Sequence, residues 1–219
     1  NNLPESFGYL ENLIYLNLNS NRILYLPESF SELSLLSELN LFDNRLSFLP
    51  ISFQNLQSCI NLDLSYNLFE NFPEEIIGLQ SLEELDLSIN YIQQFPENIF
   101  NLENLVWLDL HYNEIQNLSN SIYQLNNLNY LDIGYNSLEN LIIDLEQLSN
   151  LNTLYLDNNN LNFVTGTICN SNIDYLNPYN FIINNNNLCI ESVPDCIADT
   201  QILGTQNCFE LISKDLINH

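Results

Sequence analysis

Positive charge is nearly missing from this chain. Arg22, Arg45 and Lys214 face 28 acidic residues, for a formal charge of −25. Such a surface repels phosphate backbones and anionic lipid headgroups, so neither nucleic acid nor a membrane surface is an expected partner. No apolar run approaches the ~20 residues needed to cross a bilayer as a helix, and direct membrane insertion is not expected. Five glycines are too few to build phosphate-cradling loops, and no G-x-S-x-G, H-E-x-x-H, P-loop or G-x-G-x-x-G occurs. The acidic residues show no paired acid–base spacing, and the chain reads as a non-enzyme without a cofactor. Methionine is absent altogether.

What fills the chain instead is a 23-residue period. Leucine recurs at Leu10, Leu33, Leu56, Leu79, Leu102, Leu125 and Leu148, and each interval repeats L-x-x-L-x-x-L-x-L-x-x-N-x-L-x-x-L-P. Leu33, Leu36, Leu39, Leu41, Asn44, Leu46, Leu49 and Pro50 show the string in full. Self-similarity at this period marks a stacked solenoid, in which no unit can bury its apolar face alone. The string resembles the leucine-rich repeat family. That resemblance implies an α/β repeat solenoid, curved, with a parallel sheet on the concave face and short 3₁₀ or turn segments on the convex one. Asn2-Leu3-Pro4-Glu5-Ser6-Phe7 matches Tyr25-Leu26-Pro27-Glu28-Ser29-Phe30, so the chain opens inside a repeat. It reads as a piece of something longer, with further domains outside it.

Within a repeat, L-x-L alternation predicts a short strand with one buried face, as in Leu39/Leu41 or Leu131/Ile133. Three residues on stands an asparagine: Asn21, Asn44, Asn67, Asn90, Asn113, Asn136 and Asn159. The family resemblance implies that these amides form a ladder, satisfying backbone groups of adjacent turns. Proline at positions 4, 27, 50, 73 and 96 favours irregular or 3₁₀ turns on the other side, closed inward by Phe7, Phe30, Phe53, Ile76, Ile99, Ile122, Leu145 and Ile168. The next strand-like run, Phe181-Ile182-Ile183, comes 27 residues after Leu154, an insertion of four within Ser171–Asn180. The division expected is a solenoid over 1–188, a cysteine-bearing cap over 189–208 and a tail or cap helix over 209–219.

Cys59 takes a slot that leucine fills elsewhere and reads as a small buried hydrophobe. Cys169, Cys189, Cys196 and Cys208 cluster where the repeat pattern fails, as two disulfides stapling a terminal cap would require. Four cysteines allow three pairings. Because Cys189–Cys196 closes only a small loop, Cys169–Cys196 with Cys189–Cys208 is favoured, the others remaining open. Zinc fits poorly: the cysteine spacings lack C-x₂₋₄-C pairs, and His111 and His219 lie elsewhere. This segment looks like the cysteine-bearing caps of secreted bacterial leucine-rich repeat proteins, which implies an oxidising location, extracellular or at the cell surface.

The concave face is where a partner is expected. Between the paired strand leucines lies one outward residue per repeat: Asn17, Asn40, Asp63, Asp86, Asp109, Asp132 and Tyr155. The aspartates could track calcium or a cationic ligand, or be a solvated, unpaired strand face. The solvated reading is preferred, and no metal is assigned, because calcium wants six to eight converging oxygens. Aromatics flank the column, Trp107 and Tyr130 on one side and Tyr66, Tyr112, Tyr135 and Tyr155 on the other, with His111 among them. The candidate ligand-binding residues are therefore Asp86, Trp107, Asp109, His111, Tyr112, Tyr130, Asp132 and Tyr135. The expected function is recognition of a protein or glycan, cationic ligands among them, by a secreted or surface module; an intracellular scaffold or signalling regulator is the alternative.

Overall fold

The computed structural model describes residues 3–142 and 144–208. The expected tail at 209–219 lies outside the described residues. Among the described residues ten short strands occur: β1 Tyr15–Asn17, β2 Glu38–Asn40, β3 Asn61–Asp63, β4 Glu84–Asp86, β5 Trp107–Asp109, β6 Tyr130–Asp132, β7 Asn140–Leu141, β8 Thr153–Tyr155, β9 Phe163–Val164 and β10 Phe181–Ile182. Eight of them form one parallel sheet in the order β1-β2-β3-β4-β5-β6-β8-β10, as the L-x-L pattern predicts. The register is exact in the leucines: Leu39 pairs Leu62, which pairs Leu85, then Leu108 and Leu131. Each central leucine is at most 2% exposed in β2 to β8. β7 and β9 make a second, two-stranded parallel pair that the period does not announce.

The asparagine ladder is formed. Asn67 Nδ2 donates to Leu41 O of the preceding repeat and to Leu64 O of its own, both at 3.0 Å, and Oδ1 accepts from Leu46 N at 3.0 Å. Asn44, Asn90, Asn113, Asn136 and Asn159 repeat these contacts, and Asn186 extends them past the insertion. The residue before each rung is held at positive φ, from 52° to 56°: Ser20, Asp43, Tyr66, Ile89, Tyr112, Tyr135, Asn158 and Asn185. Non-glycine residues accept this conformation only where their surroundings impose it.

The convex side carries short 3₁₀ turns, several of which start after an extended proline, such as Glu28–Glu32 after Pro27 and Ile51–Asn55 after Pro50. Phe7, Phe30 and Phe53 stack along it, with ring centres 6.1 and 6.2 Å apart. Side chains also tie convex turns together: Ser29 Oγ donates to Glu5 O and Ser52 Oγ to Glu28 O, both at 2.7 Å. Cys59 is fully buried and unoxidised, and burial pushes its thiol up to about 12.

At the C-terminal end Cys169 pairs with Cys196 and Cys189 with Cys208. Ile197 and Leu203 are buried against the last repeat, the latter on the short helix α1, Thr200–Leu203. Gln206 occupies the place of a terminal rung. Its Nε2 donates to Ile183 O at 2.9 Å and Leu203 O at 2.7 Å, while Oε1 accepts from Leu188 N. The inserted segment packs inward through Tyr175, edge-on to Phe181 at 4.8 Å.

Asn90→Ala should lower the melting temperature much more than Asn98→Ala. The first strands Leu64 O, Leu87 O and Phe69 N inside the core, at about 1–3 kcal/mol per abandoned group. The second loses one exposed bond to Glu74. Equal melting temperatures would contradict the ladder's structural role.

Reducing the two disulfides should loosen the last two repeats first, since loss of a native disulfide typically costs about 2–5 kcal/mol. Hydrogen exchange after reduction measures this. Loosening spread evenly over all repeats would refute a local staple.

Candidate functional site

Strand register sorts the concave face into columns. One runs Tyr15, Glu38, Asn61, Glu84, Trp107, Tyr130, Thr153, and the next Asn17, Asn40, Asp63, Asp86, Asp109, Asp132, Tyr155. The second column is not a free solvated face. Each Asx side chain from Asn17 to Asp132 turns back and accepts from the backbone N–H two residues on. For Asp86, Asp109 and Asp132 those donors are Ser88, His111 and Gly134, at 2.8–2.9 Å. Such Asx turns close the strand end while drawing the carboxylate down against the sheet. The expectation of a solvated, unpaired column is corrected here: Asp109 is 6% exposed.

Crowding shows in the titration of these groups. Burial, then the neighbouring Asp109, lifts Asp132 to about 6, and burial lifts Asp86 to about 6, with Asp109 and Asp63 adding to it. His111 answers the charge. Its Nδ1 donates to Asp109 Oδ1 at 2.7 Å, and that bond is the main reason its pKa is raised. Gly134 follows His111 by one repeat; a Cβ there would lie 2.9 Å from Asp157 Oδ1.

The aromatics fall into two rows on either side of this column. Trp107 stacks on Tyr130 at 5.1 Å and 14°, and Tyr130 meets Tyr155 edge-on at 5.7 Å. On the far side Tyr112 stacks on Tyr135 at 4.0 Å, with His111 edge-on to Tyr112. Tyr155 thus joins Trp107 and Tyr130, contrary to the flank expected for it. Its backbone occupies the aspartate column, and its hydroxyl donates to Tyr179 O of the inserted segment at 2.8 Å. Tyr66 stands apart from Tyr112 and Tyr135, beside Phe42, because Ile89 fills the intervening position.

Toward the N-terminal side the face opens into a groove of about 340 Å³. It is lined by Glu38, Asn61, Asp63, Glu84 and Asp86 and ends at Trp107. Reading outward residues only between the strand leucines passed over Glu38 and Glu84. Their signal was the position just before the first strand leucine, in the column where Glu84 neighbours Trp107 and Glu38 lies two strands further on.

Comparison with known proteins follows this geometry. The leucine rich repeat family model matches residues 3–46, 80–138 and 103–161, more than half of the chain. A leucine-rich repeat protein of Leptospira interrogans is 30% identical with a TM-score of 0.82, over 94% of this chain and 52% of that one. The ectodomain of the plant receptor kinase GASSHO1/SCHENGEN3 of Arabidopsis thaliana, in complex with CASPARIAN STRIP INTEGRITY FACTOR 2, is 28% identical with a TM-score of 0.74, over 85% and 23%. TLR13 in its complex with ssRNA13 is 30% identical with a TM-score of 0.73, over 86% and 27%. The chain therefore spans about half the length of the first of these and about a quarter of the others. No curated protein matches it.

Acidification should stabilise this face. A carboxyl whose folded pKa lies above its unfolded value loses stability as it ionises, so Asp86 and Asp132 cost stability as pH rises from about 4 to about 6. His111, raised when folded, stabilises below its ordinary pKa and loses that contribution as pH rises. The signs agree. In metal-free buffer the melting temperature should rise on going from about pH 7.5 to about pH 5. Asp132→Asn, which keeps an acceptor for Gly134, should raise it at the higher pH and flatten the slope. An unchanged slope in that variant would contradict the burial of its charge.

Proposed function

Because the chain belongs to the leucine-rich repeat family, we propose that it is a non-catalytic recognition module that takes a protein segment bearing basic side chains on its concave face. The observation that carries this reading is the groove from Glu38 to Trp107, where four carboxylates line a trough closed by an indole. Carboxylates steer and orient a cationic group, and an aromatic face adds cation–π attraction. The candidate residues then divide the work: Asp86 with Glu84 orients, Trp107 and Tyr130 anchor, and Tyr112, Tyr135 and His111 form the far rim beyond Asp109 and Asp132. The plant ectodomain, which is in complex with its factor, supports a peptide or protein ligand by analogy of fold alone. TLR13 is in complex with RNA, so setting nucleic acid aside here rests on this chain's own charge of −25. A glycan packed on the Trp107–Tyr130 pair is the second reading, favoured by the near-parallel rings.

The cap bears on location. Two disulfides persist in oxidising compartments, which supports an extracellular or cell-surface setting over an intracellular scaffold. On this reading residues 1–188 are the recognising solenoid and 189–208 its seal.

A peptide library panned against the protein should enrich Lys- and Arg-containing sequences. Trp107→Ala should cost those peptides about 2 kcal/mol or more, as central aromatic anchors do. Glu97→Gln, on the convex side, should leave affinity unchanged. Wild-type affinity in Trp107→Ala, with loss in Glu97→Gln, would move the site to the other face.

A further inference from the structure

Beyond the groove, three metal-ligating side chains converge across adjacent repeats. Asp109, His111 and Asp132 each offer a ligand atom, and all three atoms lie within 4.8 Å of one another. Asp109 and Asp132 occupy paired positions of β5 and β6, and His111 lies two residues beyond Asp109 on the same turn. The donor set is therefore drawn from two paired strands and the Asx turn that ends one of them.

The carboxylates are only half used. Oδ1 of Asp109 accepts from the backbone and ring of His111, and Oδ1 of Asp132 accepts from Gly134 N. The second oxygen of Asp109, in a side chain 9% exposed, accepts from no group among the described residues. That of Asp132 has only the hydroxyl of Tyr130, at 3.4 Å. Asp109 and Asp132 thus set spare acceptor capacity side by side on adjacent strands, where like charges repel and a cation is favoured. A single imidazolium answers one charge of the two. The Trp107–Tyr130 stack and the His111–Tyr112 edge contact flank the cluster.

We propose that Asp109, His111 and Asp132 form a site for one divalent transition-type cation such as Zn²⁺. Imidazole nitrogen with carboxylate oxygen suits zinc and its neighbours, whereas calcium would want six to eight oxygens, which this cluster does not supply. Three protein ligands leave a fourth position open toward the concave face, filled by water or by a group of a partner. The metal would replace the Asp109–His111 hydrogen bond as the element that neutralises the centre of the aspartate column. The site adjoins the Glu38–Trp107 groove through the Asp86–Asp109 register but does not depend on a basic partner.

The test is calorimetric titration of chelator-stripped protein with Zn²⁺, alongside the visible spectrum on adding Co²⁺. Wild type and Asp63→Asn, which alters the same column outside the cluster, should give the same single-site isotherm and Co²⁺ bands. His111→Ala and the conservative Asp132→Asn should each lose at least about tenfold in affinity, as loss of even an outer partner of a metal site commonly does. Melting curves in chelator establish that both variants fold. No saturable Zn²⁺ binding by wild type, equal affinity in His111→Ala, or Ca²⁺ bound as tightly as Zn²⁺ would overturn the site and leave Asp109–His111 an ion pair. Peptide binding that survives any of these results keeps the recognition reading intact.

Discussion

Each ladder asparagine is shared between two turns of the coil, and that sharing is what every other part of the architecture leans on. Its amide donates to the strand-end carbonyl of its own repeat and of the one before, and its carbonyl accepts from the backbone of the earlier repeat. No repeat can satisfy its corner alone, so cooperativity is built into the backbone rather than added by side-chain packing. The left-handed residue before each rung is a direct cost of this geometry, tolerated even by the β-branched Ile89. The same turn throws Tyr66, Tyr112 and Tyr135 outward, so the ladder also sets where aromatic surface is displayed.

The strand ends tell a related story about charge. An Asx turn needs an acceptor just inside the strand, and asparagine or aspartate will serve. Using aspartate in four successive repeats, Asp63 to Asp132, stacks like charges at the ~4.8 Å strand spacing, partly out of water. A local capping requirement has thus been met in a way that loads the concave face electrostatically. In water-like surroundings such neighbours would repel by only about 1 kcal/mol, but burial raises that figure. His111 and the open groove beside Glu84 are where this tension can be relieved.

The repeat, the parallel sheet, the convex turns and the buried Cys59 were all legible, because period and alternation report burial directly. The disulfide pairing was narrowed by loop size and is the one observed. Less visible was anything that depends on which way a side chain turns. The Asx turns need the backbone of the loop, so Asp109 read as solvated. Tyr155 stands in the aspartate column by the count from Leu154, but its ring, expected on the loop-tyrosine flank, turns to Tyr130 instead. Gln206 as a terminal rung lay beyond reach, since 18 residues rather than 21 separate it from the backbone N–H it accepts from, and no repeat pattern survives there.

Cys59 has a bearing on how the four cap cysteines find their partners. An odd thiol in an oxidising compartment is a hazard, because its thiolate can attack finished disulfides and exchange into them. Here the repeats that enclose Cys59 precede the cap in the chain and can close over it before Cys169 is made. Once enclosed, with its thiol pushed up to about 12, it supplies almost no thiolate at neutral pH. Four cysteines then choose among three pairings, instead of three for every possible choice of the one left over. Burial of this leucine-slot thiol thus removes one competitor from the pairing of the four cap cysteines.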